Sequence, residues 1–275
     1  MASNNTGLER TMDESYFKDE KEHKEHHLNR LVSAAKEIFE RNKRAVRIVD
    51  LATGPNSFNI DIVDGLERED IDYEFVLSDI SPVHFSIGYE NLKKANPKAL
   101  KNIRCVLMDS CDMKTPLTEI PMWSGNGHPK EMWPIAKVLK DPKYAFLKTC
   151  TERPSFSDDT FDMIIGQLPY GSINTGPYQR AIKESVRILR SGGYHIVSEF
   201  QVEILANVST RNDRSLAGAK RRVVTDIMST LENMLVPIES YNMVYKYKES
   251  VTIDPTQAIQ NGDIVRYSVL VHKKI

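Results

Sequence analysis

The sequence predicts an α/β fold in which helices cover both faces of a mainly parallel sheet. Short runs of β-branched and apolar residues alternate along the chain with stretches of helical periodicity. The first run breaks at Thr53-Gly54-Pro55-Asn56, as a buried strand leading into a turn would. Five such runs separated by helices imply right-handed β-α-β crossovers, and 275 residues suffice for one large domain.

The predicted elements follow one another in a regular order. An amino-terminal helix ends in the basic residues 41–44, and its apolar stripe is formed by Leu28, Leu31, Val32, Ala35, Ile38 and Phe39. Strands are predicted at 46–51, 73–77, 103–108, 161–165 and 194–198, with helices at 59–66, 83–95 and 178–189. Residues 216–231 predict a further helix, and 241–247 and 265–272 predict two strands joined by a loop.

Composition argues against several classes of partner. The chain has 37 Lys+Arg and 38 Asp+Glu, so a net charge of -1 provides no field to hold a polyanion. Apolar stretches are shorter than the ~18 residues that cross a bilayer, and the opening residues lack the pattern of a signal peptide. We therefore expect a cytoplasmic protein with neither a membrane nor a nucleic acid as partner.

Cysteine and histidine usage predicts no metal centre. Cys105, Cys111 and Cys150 contain no C-x-x-C pair, which argues against a disulfide framework and against a cysteine zinc site. His23, His26 and His27 lie in a run of Lys and Glu, and we expect them on a solvated helix face.

Residues 113–153 interrupt the alternation. This segment holds five prolines and both tryptophans, Trp123 and Trp133, where an α/β unit needs one helix. Long irregular insertions in compact domains are commonly functional loops, and a surface elaboration anchored by the tryptophans is the alternative.

The strand ends share one chemistry. Asp50, Asp79 and Asp109 end the first three predicted strands, and Gly54 follows the first of them by four residues. In an open parallel sheet the ligand lies outside the carboxyl ends of the strands, so these carboxylates are expected in one crevice. They would repel a phosphate-rich ligand and suit a cation with ribose hydroxyls and an exocyclic amine.

The same residues resemble the motifs of the class I S-adenosylmethionine-dependent methyltransferases. Residues 50–56, Asp-Leu-Ala-Thr-Gly-Pro-Asn, match the acid-x-Gly-x-Gly-x-Gly motif with the central glycine kept. Residues 75–81 resemble the ribose-binding motif and 106–110 the adenine-binding motif, while 157–165 and 189–194 resemble the family's entries into its fourth and fifth strands. The dinucleotide pattern G-x-G-x-x-G is absent, because residues 52–57 read Ala-Thr-Gly-Pro-Asn-Ser.

This resemblance implies a Rossmann-like, seven-stranded sheet with a carboxy-terminal antiparallel strand pair. It also implies S-adenosylmethionine as cofactor and S-adenosylhomocysteine as product. The residues it assigns to cofactor binding are Asp50, Ala52, Gly54, Asn56, Asp79, Ile80, Asp109, Ser110 and Gln167.

The end of the fourth strand points to the acceptor. Residues 166–170, Gly-Gln-Leu-Pro-Tyr, resemble a degenerate Asn/Asp-Pro-Pro-aromatic motif of methyltransferases that act on planar amino nitrogens. Gln167 would hold the amine and Tyr170 would stack on it; in the alternative, Gln167 touches only the cofactor and Tyr170 packs in a loop. Glu199 is the carboxylate placed best to take a proton, with a solvated strand-end charge as the alternative. Mid-strand His195 is expected in the core.

The sequence therefore predicts an enzyme that methylates a small molecule, an amine in preference to a hydroxyl. Two alternatives remain at this point: methylation of an amino group in a protein or RNA, and a non-catalytic S-adenosylmethionine-binding protein. We expect residues 1–44 to form an amino-terminal helical lid and 45–275 the methyltransferase domain with its insertion at 113–153. The acceptor and the oligomeric state are not predicted.

Overall fold

The architecture was examined in a computed structural model that describes residues 21–54, 58–115, 117–123, 129–148, 156–167, 178–200, 226–246 and 264–275. Its strands are β1 (Val46–Leu51), β2 (Tyr73–Asp79), β3 (Ile103–Leu107), β4 (Glu119–Trp123), β5 (Pro129–Pro134), β6 (Phe161–Gln167), β7 (Leu189–Phe200), β8 (Val236–Lys246) and β9 (Ile264–Lys273). Its helices are α1 (Lys21–Asn42), α2 (Phe58–Arg68), α3 (Pro82–Ala95), α4 (Ile135–Val138), α5 (Tyr178–Ile188) and α6 (residues 226–234). Short 3₁₀ turns cover Ala99–Asn102 and Pro142–Lys148.

Seven strands form one sheet in the order β3-β2-β1-β6-β7-β9-β8. The pairs from β3 to β7 are parallel, whereas β9 runs antiparallel to both β7 and β8. The strand order reverses between β1 and β6, which places the ligand crevice of such sheets outside the carboxyl ends of these two strands. The predicted fold class is thereby confirmed, including the carboxy-terminal antiparallel pair.

Two apolar clusters fill the two faces of the sheet. The first packs α1, α2 and α3 on one face, and the second packs α5 and α6 on the other. Helix α1 is an integral part of the first cluster, since Ala34, Ala35 and Ile38 on its apolar stripe are fully buried. Residues 1–20, where a lid over the cofactor would begin, lie outside the described part of the chain.

The described parts of residues 113–153 are ordered elements that close one edge of the sheet. Strands β4 and β5 pair antiparallel, and the turn Pro142–Lys148 packs against α3 and edge strand β3. Phe146 stacks on Tyr89 of α3 with ring centroids 4.5 Å apart. Ile120 and Val138 are fully buried in the first cluster. These residues therefore contribute to the core as well as to the surface.

Strand β7 begins earlier than the sequence predicts. Leu189 lies opposite Phe161 and Tyr194 opposite Met163, so residues 190–193 form an irregularity within the strand. Gly192 has a φ of 77°, and a Cβ on Gly193 would lie 2.7 Å from the carbonyl oxygen of Asp162. Residues 190–193, between the predicted helix and the predicted strand, thus form a bulge that needs glycine at 192 and 193.

Within the described residues, no helix has the length and apolar character that crossing a membrane requires.

Candidate functional site

The crevice at the switch point is lined by the loop that leaves β1 and by the end of β2. Asp50 lies beside Leu77 of β2 and Ile165 of β6 in the sheet register. Asp79 is the last residue of β2 and is 8% exposed. The structure therefore brings the predicted carboxylates of the first two strands to one edge of the sheet.

The turn after β1 is held by hydrogen bonds to β2. The amide of Thr53 donates to the carbonyl of Ser78 at 2.9 Å, and the amide of Ser78 donates back to Thr53 Oγ1 at 3.1 Å. Ser78 Oγ donates to the Asp50 carbonyl at 2.8 Å. These bonds fix the path of the turn relative to both strands, so its side chains and amides are presented by a rigid scaffold.

Two residues of this turn have left-handed backbone angles. Gly54 has a φ of 59° and Ala52 a φ of 54°. A Cβ built on Gly54 would approach only the Ala52 carbonyl oxygen among the described atoms, at 3.8 Å, so the space beside this glycine is open. Ala52 occupies the position of the first motif glycine and retains a conformation that an alanine adopts at a cost of about 1 kcal/mol.

Asp79 links the turn to the start of α3. Its Oδ2 accepts the Gly54 amide at 2.7 Å, and its Oδ1 accepts the Ser81 amide at 2.7 Å. The side chain is thus held in place by backbone amides at the edge of the crevice.

Asp50 is the more deeply buried of the two carboxylates. It is 3% exposed, and its Oδ2 accepts a hydrogen bond from Asn59 Nδ2 at 3.0 Å. Burial raises its pKa to about 7, against the opposing effect of hydrogen bonds from Asn59 and Thr53, and nearby Asp79 raises it further. The group therefore changes charge near neutral pH.

The loop after β3 carries Asp109 and Ser110, which are partly exposed, as is Ile80 after β2. Asp109 Oδ1 accepts the Cys111 amide at 2.8 Å, which turns the chain back towards α5. Burial, followed by the charge of Asp109, raises the pKa of the Cys111 thiol to about 12. This thiol stays protonated and is not a nucleophile at physiological pH.

The ends of β6 and β7 lie side by side. The backbone of Gln167 pairs with Ser198, and Glu199 follows and pairs with Ser268 of β9. The side chains of Gln167 and Glu199 are outside the described part of the structure, as are Asn56 and Tyr170 entirely. Their predicted roles remain predictions.

Two histidine expectations had different outcomes. His195 is fully buried, as predicted, and burial followed by the charge of His272 lowers its pKa to about 3. The expected solvated face is wrong for His27, which is 3% exposed and stacks on Phe58 at 5.3 Å. His27 continues the stripe of Leu31, Ala34 and Ile38, and this spacing could have predicted its burial.

Sequence reasoning missed the polar residues that support the carboxylates. Asn59, Thr53 and Ser78 are all buried and bonded around Asp50. A signal existed only for Thr53 and Ser78, which adjoin the motif glycine and the strand-end acid. Asn59 looks in sequence like an ordinary residue at the start of a helix.

Known proteins resemble this chain over part of its sequence and in its fold. The model of the ubiE/COQ5 methyltransferase family matches residues 135–244. A search of curated proteins gives no match.

Several solved structures share the fold. An S-adenosylmethionine-dependent methyltransferase from Methanosarcina mazei has a TM-score of 0.52 at 13% identity, and the match covers 87% of this chain and 97% of that protein. The N-methyltransferase NodS from Bradyrhizobium japonicum, in complex with S-adenosylhomocysteine, has a TM-score of 0.51 at 10% identity and covers 99% of both chains. YcgJ from Bacillus subtilis has a TM-score of 0.50 at 12% identity and covers 91% of this chain and 99% of its own.

At these identities the structural likeness shows the fold and no more. The fold is that of the class I methyltransferases. The family-model match spans 110 of the 275 residues and shows a partial similarity to methyltransferases in the second half of the chain.

Proposed function

We propose that this protein is an S-adenosylmethionine-dependent methyltransferase that acts on a small-molecule acceptor, an amine in preference to a hydroxyl. The observation that carries the proposal is the strand register: Gln167 and Ser198 are paired at the ends of β6 and β7, and Glu199 is the next residue. The end of β6 at Gln167 therefore lies between β1, which carries Asp50, and β7, which carries Glu199. This placement supports a pocket for an amine beside the cofactor crevice.

The described residues fit the cofactor. Two buried carboxylates in one crevice favour a cation over a pyrophosphate, and the open space at Gly54 lets a ligand approach the backbone. In this proposal Asp79 accepts the ribose hydroxyls, while Asp109, Ser110 and Ile80 surround the adenine. The methionine part is held by Asp50, Ala52, Gly54, Asn56 and Gln167.

S-adenosylmethionine supplies a sulfonium methyl group to a nucleophile approaching in line. The contribution of the chain is to hold the acceptor and exclude water, which accounts for much of the rate enhancement in such transfers. We propose that the Gln167 amide oxygen accepts an N–H bond of the amine and that Tyr170 stacks on its plane. Glu199 would take the proton that a cationic amine must lose before its lone pair can react.

We also propose that residues 113–153 form part of the acceptor pocket. Trp133 is half-buried; its Nε1 donates to Glu131 Oε2 at 2.7 Å, and Lys137 Nζ lies 3.6 Å from the ring centre. Trp123 is the second candidate, although its side chain lies outside the described set. Because Ile120 and Val138 are core residues, single substitutions test this role better than deletion of the segment.

The acceptor class can be tested by offering the purified protein S-adenosylmethionine with a deuterated methyl group. Matched panels of small amines and of their hydroxyl analogues are incubated separately, and mass spectrometry detects the transferred label. The proposal expects labelled amines, with transfer reduced at least tenfold by Tyr170→Ala and less by Tyr170→Phe. Label confined to hydroxyl compounds contradicts the amine preference, and label confined to added protein or RNA contradicts a small-molecule acceptor.

The role of the insertion is tested in the same assay. Trp133→Ala is expected to raise the KM for the acceptor several-fold while S-adenosylhomocysteine affinity stays within about tenfold, roughly 1.4 kcal/mol. Trp133→Phe is the matched control that keeps an aromatic ring. An unchanged KM in both variants would remove Trp133 from the pocket.

A further inference from the structure

The carboxylate of Asp50 has an unusual environment for a buried acid. Its donors are neutral: Nδ2 of Asn59 at 3.0 Å and the side chain of Thr53. Asp50 and Asn59 are both 3% exposed. Asn59 is the second residue of α2, so the first turn of this helix fixes the amide relative to the end of β1. The pair therefore joins the helix after the cofactor turn to the strand before it.

The surroundings of Asp50 provide little compensation for a negative charge. The neighbouring strands present Leu77 and Ile165 in register with it. Among the described residues, Asp79 is the charged group that acts on it, and its charge is also negative. Asn59 of α2 contributes a neutral amide. His27 of α1 stacks on Phe58, and burial lowers the pKa of this ring to about 3, so it carries no positive charge at neutral pH.

We propose that Asn59 is a positioning residue that holds the Asp50 carboxyl group ready to ionise, and that binding of the cationic cofactor releases one proton from Asp50. The inference rests on the proposed place of Asp50 in the cofactor site. The balance is simple: the carboxylic acid loses its proton to solvent, the carboxylate remains bonded to Asn59, and the entering positive charge takes the place of the proton.

Two physical effects couple the charge of Asp50 to cofactor binding. Burial and the charge of Asp79 favour the neutral acid in the free protein, and a cation entering the same crevice favours the carboxylate. Without Asn59 the carboxylate would be buried with fewer donors, so ionisation would need a higher pH. A pKa near neutrality in the free protein agrees with both effects, because an acid ionised at every working pH could release no proton.

The proposal is tested by calorimetric titration of the full-length protein with S-adenosylmethionine. Runs at pH 6, 7 and 8 in buffers of different ionisation enthalpy give the number of protons released. We expect release approaching one proton at pH 6 and falling towards zero at pH 8. Below the transition, affinity should rise by up to about tenfold per pH unit, the limit for one proton.

Two variants assign the proton. Asp50→Asn should release fewer protons than wild type and show a weaker pH dependence of affinity. The difference between the two proteins is the contribution of Asp50, since groups on the ligand and elsewhere titrate equally in both. Asn59→Leu should move the transition to higher pH and recover affinity at pH 8 to 9. Asn96→Leu is the matched control, because Asn96 donates to Asp64 and Glu67 on the exposed side of α2; its profile should equal that of wild type.

Each result bears on the proposal. An Asn59→Leu protein that binds more weakly by the same factor at every pH makes Asn59 a structural residue and overturns its proposed role. Wild-type binding without proton release overturns the coupling while leaving the cofactor site intact, and this holds even if Asn59→Leu does not fold. Wild-type protein that binds at no pH contradicts the cofactor site itself, and with it this inference.

Discussion

The two ends of the central sheet hold their buried aspartates in opposite ways. At the amino end, Asp162 at the start of β6 is 2% exposed and is bonded by Arg44 through both oxygens at 2.7 Å. The Arg47 amide and Arg190 complete its shell. At the carboxyl end, Asp50 has a similar burial, its donors Asn59 and Thr53 are neutral, and a second carboxylate lies nearby.

The difference in donors reverses the effect on ionisation. Burial raises the pKa of both groups, but at Asp162 the bonds from Arg44 and Arg47 and the positive charges outweigh it and the pKa is lowered. At Asp50 burial prevails and the pKa is raised to about 7. A carboxylate whose charge is fully compensated stabilises the fold, whereas one with a deficit of positive charge is suited to receive a cationic ligand.

The largest expected effect is loss of stability when Asp162 is changed to Ala. The substitution leaves the guanidinium groups of Arg44 and Arg190 without their shared partner and should lower the free energy of unfolding by about 3 kcal/mol, discounted because both arginines are partly exposed. Urea denaturation at pH 7 measures it. Cofactor affinity of the folded variant should stay within about twofold, and a tenfold loss would show that the two ends are not independent.

The next prediction concerns Asp79 at the carboxyl end. Asp79→Ala removes the acceptor of the Gly54 and Ser81 amides together with the proposed acceptor of the ribose hydroxyls. Calorimetry should show a ten- to hundredfold loss of S-adenosylhomocysteine affinity, about 1.5–3 kcal/mol. Unchanged affinity would remove Asp79 from the site and with it the ribose assignment.

A third prediction uses stability and pH to sharpen the contrast. Because the folded-state pKa of Asp50 is raised, the folded protein holds an extra proton between pH 3.8 and about 7, and stability is lost as pH rises through this window. Asp50→Asn should therefore increase the free energy of unfolding at pH 8 by on the order of 2 kcal/mol, and the gain should shrink towards pH 4.

The control for this prediction is Asp162→Asn, whose sign is opposite. Its folded-state pKa is lowered, so its stabilisation is present above the ordinary value of 3.8 and is lost as pH falls further. Asp162→Asn should accordingly lower the free energy of unfolding by an amount that stays constant between pH 5 and pH 8. A gain from Asp50→Asn that is independent of pH would contradict the proposed origin in ionisation.

The two ends also differed in how well the sequence predicted them. Asp50, Asp79 and Gly54 follow buried strands in a recognisable order, so the position of the site could be read from the motif. The Asp162 cluster could not, since it joins residues 118 positions apart in the chain, Arg44 and Asp162. Such contacts depend on how the segment between α1 and β1 meets the start of β6, which local patterns do not encode.

Edges of the sheet were predicted least accurately. Strand β8 begins at Val236, five residues before the predicted start at 241. The sequence missed this part because residues 236–240 are all exposed and show no alternation of buried and exposed positions. The register with β9 shifts between Pro237 and Glu239, which hides the period further. At the other edge, the β4–β5 hairpin and the turn over β3 carry prolines that read as irregular chain.

The smallest expected effect separates backbone strain at the site from the same strain elsewhere. Ala52 and Lys43 both have positive φ values, 54° and 52°, but Lys43 lies after α1, outside the crevice. Replacing either by glycine relieves the left-handed strain and adds freedom to the unfolded chain, so each should change stability by a net gain below about 1 kcal/mol. The measurement that distinguishes them is cofactor affinity: Ala52→Gly should alter it by a few-fold, because the turn positions Gly54, whereas Lys43→Gly should not. If both variants bind the cofactor as tightly as wild type, the φ of Ala52 is a local feature of the turn and has no influence on cofactor affinity.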